Sequence, residues 1–287
     1  MVGRRTFKSP HKTHGGAERG PRPISSLQND KIKAIRALDM RKARRESGLF
    51  VAEGASVLIS AREAGWQPET LLYEPGGAES DLVKGLIKYA LASGADVLEV
   101  SPAVLAKVAS KDNPQAVLGV FQQRWGDPVL SGVVRKEELW LALEEVRDPG
   151  NLGTIIRTVD AVGAAGVILV GNCCDPYSRE CIRATMGSVF SVPLVRMTQD
   201  AFCVWQADWP GDTVGLHLQG AEDFREARLS EPVLVVMGSE GPGLSERLTD
   251  LCTRRLKIPM AGDLDSLNLA VATALTIYQL RGPFLKL

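Results

Sequence analysis

The stretch RLKIPMAGDLDSLNLAVATALTIYQLR, residues 255–281, decides the fold. Leu256 and Ile258 alternate with Arg255 and Lys257, the period of a strand. Pro259 ends the ladder because proline has no N–H to give it. A loop spans Ala261 to Asp265, and a helix is predicted over 266–281. Leu267, Val271, Ala274, Leu275 and Tyr278 recur at helical spacing, while Ala270, Ala272 and Ile277 fill the other sides. A helix with so little polar surface is expected to be buried. Ser266 and Asn268 fall in its first turn, where free N–H groups and the positive end of the dipole point outward. Ser266 is either an N-cap or a group offered to a ligand.

Outward from this stretch the chain alternates. LWLALEEV (139–146), GVILVG (166–171), DTVGLHL (212–218), VLVVMG (233–238) and RLKIPM (255–260) read as strands. Helical patterns fall at 151–163, 178–190, 199–208, 244–252 and 266–281. This rhythm predicts an α/β fold, a parallel sheet with helices on both faces, whose ligand lies outside the carboxyl ends of the strands. Upstream, residues 29–47 read as one helix with Ile32, Ile35 and Leu38 on its apolar stripe. FVAEG (50–54) leads into a second helix, LLYEP (71–75), DVLEV (96–100) and AVLGVFQ (116–122) read as strands, and 81–93 and 102–110 as helices. The expected organisation is a disordered basic tail (1–23), a small α/β domain (24–122), a Gly- and Pro-containing linker (123–137) and the larger α/β domain (138–287).

The net charge is zero, but residues 1–50 hold thirteen Lys/Arg against four Asp/Glu, so that +9 at the front is balanced by −9 over the rest. A basic front implies a polyanionic partner, the alternative being a merely solvated face. Lys31, Lys33, Arg36, Arg41, Arg44 and Arg45 lie on predicted helix and are the candidate RNA contacts. No run reaches the roughly 18 apolar residues of a membrane helix, and no apolar run follows Arg4–Arg5, so a cytoplasmic protein is expected. Five cysteines without C-x-x-C spacing give no disulfide framework, and no metal site is expected. Of three histidines, His11 and His14 lie in the tail and His217 follows a strand, where a structural role is expected.

Two further stretches follow strands. In EEVRDPGNLGTIIRT (144–158), Asp148-Pro149-Gly150 turns the chain and Asn151 is expected to cap the next helix. Arg157 then sits among Ile155, Ile156 and Val159, where a cation needs an anion or an open cleft. In VMGSEGPGLSERL (237–248), Gly238, Gly241 and Gly243 allow close backbone approach to a ligand, and Glu240 offers a carboxylate. Neither G-x-G-x-x-G nor G-x-x-x-x-G-K-[ST] occurs, so a nucleotide diphosphate is a poor candidate.

The motifs N-x-G-x-x-x-R-T, MGSEGPGL and IPM-x-G-x-x-x-SLN-x-x-x-A, in this order, resemble those of the SpoU (TrmH) family of S-adenosylmethionine-dependent RNA ribose 2′-O-methyltransferases, within the SPOUT superfamily. The likeness covers about residues 25–285 and is strongest to two-domain members of the avilamycin-resistance type, which methylate a uridine of 23S ribosomal RNA. It implies an RNA-binding front domain, a trefoil knot in the sheet domain and a homodimer. It implies a cofactor pocket at Leu218, Gly238, Glu240, Ile258, Met260, Leu267 and Asn268, and catalytic roles for Asn151, Arg157, Glu240, Ser266 and Asn268. A guanidinium keeps its proton. Arg157 is therefore expected to grip a phosphate and stabilise developing charge, with the proton leaving to a phosphate oxygen or water. The alternatives are a transfer RNA methyltransferase and a non-catalytic RNA-binding protein with a degenerate cofactor site.

Overall fold

The structure, a computed structural model, describes residues 20–109, 116–127, 137–217, 222–263 and 266–285. Most of the expected tail, residues 128–136 of the expected linker, and Leu218 lie outside the described residues. The chain divides into two compact units between Gln122 and Gln123.

The first unit runs β1 (Arg22–Ile24), α1 (Asp30–Ala37), α2 (Arg41–Ser47), β2 (Leu49–Glu53), α3 (Ala55–Glu63), β3 (Thr70–Tyr73), α4 (Asp81–Ala92), β4 (Asp96–Val100), α5 (Pro102–Val108) and β5 (Val117–Gln122). Its sheet has the order β1-β4-β3-β5-β2, with β1, β4 and β3 parallel and β5 antiparallel to both neighbours. Ile32, Ile35 and Leu38 pack on Val51, Leu72, Leu98 and Leu118. Arg22 and Pro23 belong to β1 and not to a tail, and Arg22 holds both carboxylate oxygens of Asp96 at 2.6 Å.

The single helix expected over 29–47 is two. The N–H groups of Leu38, Asp39 and Met40 bond three residues back, tightening and ending α1. This leaves the carbonyls of Leu38 and Asp39 without helical partners. Arg44, 4% exposed, reaches back from α2 and donates to both, at 2.7 and 2.9 Å. Its expected role as an RNA contact is therefore corrected: the guanidinium is spent inside the fold.

The second unit runs β6 (Leu139–Glu144), α6 (Pro149–Ala161), β7 (Gly166–Val170), α7 (Arg179–Thr185), β8 (Leu194–Met197), α8 (Gln199–Gln206), β9 (Thr213–Leu216), β10 (Glu222–Asp223), β11 (Val233–Met237), α9 (Glu246–Leu251), β12 (Arg254–Lys257) and α10 (Leu269–Arg281). The seven strands are all parallel, in the order β10-β12-β9-β11-β6-β7-β8. The strands read from sequence are present, and the short β8 and β10 join them. The helix expected over 178–190 stops at Thr185, where Met186 (φ 52°) and Gly187 (φ 103°) turn left-handed. The start of the expected linker is not free. Gly126 donates its N–H to Leu194 O at 2.7 Å, Tyr177 bonds the backbone of Arg124, and Arg196 lies over the Trp125 ring. Among the described residues no helix is long and apolar enough to cross a membrane.

Two packing facts position the loops at the carboxyl end of the sheet. Gly153 lets α6 cross α7 closely: a Cβ there would lie 2.5 Å from Ala184 Cβ and 2.6 Å from Cys181 O. And α10 runs parallel to α6, tied at one end by Asn268 to Asn151 and at the other by Arg281 Nε to Val162 O. The one-sided burial of α10 corrects the expectation of a buried helix. Leu269, Ala270, Thr273, Thr276 and Ile277 are buried, whereas Val271, Leu275 and Tyr278 are exposed.

Candidate active site

Three loops leave the carboxyl ends of β6, β11 and β12, and one chain of hydrogen bonds joins them. After β6, the Asp148 side chain caps α6, accepting from Asn151 N at 2.6 Å, with Pro149 at the first helical position. Asp148 and not Asn151 is thus the cap, and the Asn151 side chain is released for other work. After β11, Ser239 and Gly243 exchange both backbone hydrogen bonds at 3.1 Å, folding the glycine-rich segment into a tight turn. Gly238 must be glycine, since a Cβ would lie 2.0 Å from the Gly243 carbonyl carbon. The turn presents Glu240, whose carboxylate accepts from Asn151 Nδ2 at 2.9 Å and Arg147 N at 3.4 Å.

After β12 the chain enters α10, and Asn268 is its cap, accepting from Ala270 N and Val271 N at 2.9 and 3.3 Å. Asn268 Nδ2 donates to Asn151 Oδ1 at 3.0 Å. Asn151, Glu240 and Asn268, 117 residues apart at the extremes, are therefore brought together. Ser266 is not: it is exposed and is not the cap. Nor is Arg157, which is exposed on α6 and six residues beyond Asn151, about 120° round the helix at some 100° per residue. The expectation of a cation embedded among apolar neighbours is corrected, because Ile155, Ile156 and Val159 turn inward and Arg157 turns out.

Ile258 and Met260 lie past the last ladder residue of β12, half-exposed, as is Leu267 before α10. Together with Gly238 they place backbone at the rim of the same sheet end. Glu145, at the close of β6, takes φ 48°, an uncommon left-handed conformation for a non-glycine residue. Its carboxylate pairs with Arg147 at 3.4 Å. Burial, with Glu240 and Asp148 among the nearby carboxylates, pushes the Cys174 thiol up to about 12, so it stays protonated and is no nucleophile. Sequence reasoning missed Arg147 N and the cap role of Asp148; the Asp-Pro pair held the signal for the second. Among the described residues no group of three His, Cys, Asp or Glu is placed to hold a metal ion. A cavity of about 440 Å³, bordered by Leu139, Val233, Arg228 and Phe284, opens at the amino end of the sheet, away from the three loops.

In the first unit the remaining basic candidates are exposed. Lys31 pairs with Asp96 at 3.7 Å and Lys33 with Asp30 at 3.3 Å, while Arg36, Arg41 and Arg45 line the surface of α1 and α2.

A parallel α/β sheet with glycine-turn backbone and a fixed amide–carboxylate chain at its carboxyl edge has the makings of a ligand site where such sheets bind their ligands. Residues 138–278 match the SpoU rRNA methylase family and residues 29–119 the MRM3-like substrate binding domain. The chain is 31% identical to the 23S rRNA (guanosine(2553)-2′-O)-methyltransferase RlmP of Bacillus subtilis, over 90% of this chain and 99% of that protein. It is also 31% identical to the 23S rRNA (uridine(2479)-2′-O)-methyltransferase of Streptomyces viridochromogenes, over 84% and 85%. The crystal structure of an AdoMet-bound rRNA methyltransferase from Sinorhizobium meliloti superposes with a TM-score of 0.85 at 42% identity, covering 92% of this chain and 99% of that one. The chain belongs to the SpoU rRNA methylase family. It is an S-adenosylmethionine-dependent RNA methyltransferase.

Replacing Asn268 separates two duties. Asn268→Ala removes the α10 cap, costing about 1 kcal/mol of stability, and also frees the Asn151 amide. Asn268→Ser restores the cap but not the link. We expect urea denaturation to recover with serine while S-adenosylmethionine affinity, read by calorimetry, stays weakened in both. Wild-type affinity in the serine variant would show that the amide link is idle.

Proposed function

We propose that this enzyme methylates a ribose 2′-hydroxyl of 23S ribosomal RNA, at a uridine, and that the added methyl protects the ribosome from an antibiotic. The observation that carries the site assignment is the Asn268–Asn151–Glu240 chain, which joins the three motif loops. The uridine reading follows the Streptomyces relative; a methylated guanosine would instead align the enzyme with the Bacillus one. A ribosomal substrate puts the enzyme in the cytoplasm. S-adenosylmethionine would lie against a rim of backbone at Gly238, Ile258, Met260 and Leu267, with Glu240 and Asn268 at its edge; Leu218 belongs to the same assignment but lies outside the described residues.

S-adenosylmethionine supplies an electrophilic methyl on sulfonium. The chain's own residues do the rest. Glu240 orients Asn151, and Asn268 orients it from the other side, so the amide edges facing the reacting ribose are fixed. Ser266, exposed before the cap, is assigned to ribose positioning. A guanidinium is a poor base; to Arg157, exposed on α6 outside the amide chain, we assign the target phosphate and the charge that develops on the 2′-oxygen. The proton passes to a phosphate oxygen or water. The reaction needs RNA because the nucleophile is the 2′-OH that DNA lacks.

The first unit is the RNA-binding domain in this reading, through Lys31, Lys33, Arg36, Arg41 and Arg45. The second unit is the knotted catalytic domain, with β12 beside β9 and α10 beside α6 as the support for the threading. The active form is a homodimer: Val271, Leu275 and Tyr278 recur at 271, 275 and 278 on one exposed side of α10, a stripe suited to a second copy.

Three measurements test this. Single-turnover methyl transfer to 23S RNA, with the product mapped, should fall about 10²-fold in Arg157→Ala, near 3 kcal/mol in activation free energy, with little change in cofactor affinity. Near-normal turnover would leave Arg157 a surface cation, and transfer RNA as the sole methylated product would replace the substrate. Arg41→Ala with Arg45→Ala should weaken RNA binding and lower the slope of its salt dependence by about 2; an unchanged slope would move the RNA face elsewhere. Sedimentation should give a dimer that Leu275→Asp converts to monomer, and a wild-type monomer refutes the assembly.

A further inference from the structure

The glycine-rich turn is held at two points. Glu240 fastens its tip to Asn151 and to Arg147 N. Its exit, Ser245, is fastened by a second carboxylate that none of the motif roles uses. Glu144, the last residue of β6, an interior strand beside β11, is 5% exposed. Its Oε2 accepts from Ser245 N at 2.8 Å, and its Oε1 accepts from Ser245 Oγ at 2.7 Å and from Gln199 Nε2 at 2.8 Å. Ser245 Oγ in turn caps α9, accepting from Leu248 N at 3.3 Å.

The arrangement demands a group that only accepts. Ser245 N can only donate. Gln199 has its orientation set from the far side: its Oε1 accepts from Arg247 Nη1 at 3.3 Å, and Arg247 is itself paired with Asp200 at 2.6 Å. Its amide nitrogen must therefore face Glu144. An amide at position 144 would set N–H against N–H at one of the two oxygens, whichever way it turned. A carboxylate satisfies all the donors, and a buried carboxylate with three hydrogen bonds is the arrangement in which its desolvation is offset.

We infer that Glu144 is a positioning residue for the cofactor: it clamps the exit of the 238–245 turn to the end of β6 and to the start of α8, so that the backbone of Gly238 and the Glu240 carboxylate stay in register with Asn151. This rests on the reading of the turn as part of the cofactor wall.

The test uses the full-length protein. In the wild type, hydrogen exchange of the 238–245 amides with and without S-adenosylmethionine first checks the wall itself: no protection by cofactor refutes that reading, independently of Glu144. Glu144→Gln should then raise the cofactor dissociation constant about tenfold, the order expected when one buried hydrogen bond becomes a donor–donor contact. Exchange of the same amides should quicken, and RNA affinity should not change. Glu144→Gln combined with Gln199→Glu moves the carboxylate to the other side of the pair, where it can accept from the new amide, and should recover most of the affinity. Cofactor affinity within twofold of wild type in folded Glu144→Gln would overturn the inference, as would a loss that the double variant leaves unrepaired. A lowered melting temperature with unchanged cofactor affinity would reduce Glu144 to a structural anchor, and so would also overturn it.

Discussion

The site depends on one chemical asymmetry: a carboxylate accepts hydrogen bonds and cannot give them. Glu240 takes a bond from Asn151 Nδ2, which forces the Asn151 oxygen to the opposite side, where it can only accept. Asn268 must then turn its own nitrogen to Asn151 and its oxygen to the first N–H groups of α10. The polarity of two amides, free to flip in isolation, is thereby set by one charge. The same logic recurs at Glu144, whose surroundings are all donors. Two acceptor-only groups, one at the tip of the glycine turn and one at its exit, leave that turn a single arrangement.

Such precision needs backbone brought close, and here sterics take over from electrostatics. Gly238 lets the turn fold onto its own far end, and Gly153 lets α6 approach α7 at a distance where any Cβ would strike a backbone carbonyl. These two glycines sit in the first two motifs for reasons of shape rather than flexibility. The parallel sheet supplies the third element. Because β6, β11 and β12 all point the same way, the three loops that follow them emerge at one edge. The α10 helix, lying parallel to α6, brings its own amino end to that edge as well. Residues far apart in sequence become neighbours without any long reach of side chains.

Much of this was legible. Strand–helix alternation predicts the parallel sheet, and the three motif stretches predict Asn151, Glu240 and Asn268, which the structure joins. What was not legible has identifiable causes. The break between α1 and α2 carries no glycine or proline; it is set by i−3 bonds and by Arg44 reaching back to two carbonyls, a tertiary contact that composition cannot reveal. Arg44 therefore counts as a surface cation in the sequence and a buried one in the fold. Arg157 errs in the opposite sense, because its apolar sequence neighbours lie on the other side of α6. Ser266 loses the capping role to Asn268 through a helix start three residues later than periodicity placed it.

The one-sided burial of α10 is the most instructive departure. The helix is apolar nearly all round, so the hydrophobic period does not select a side. Burial on every side is therefore the expectation, and the fold buries one side only, leaving Val271, Leu275 and Tyr278 exposed. Thr273 and Thr276 are buried because each satisfies its hydroxyl within the helix, donating to Leu269 O at 2.7 Å and Ala272 O at 2.8 Å. With its polar atom so engaged, a threonine can be buried as a compact β-branched residue. The stripe of Val271, Leu275 and Tyr278 is left on the exposed side of α10, the side that the dimer proposed above would cover. The helix that closes the amide chain at one end would then serve, on its outer side, as the surface on which two sites are held together.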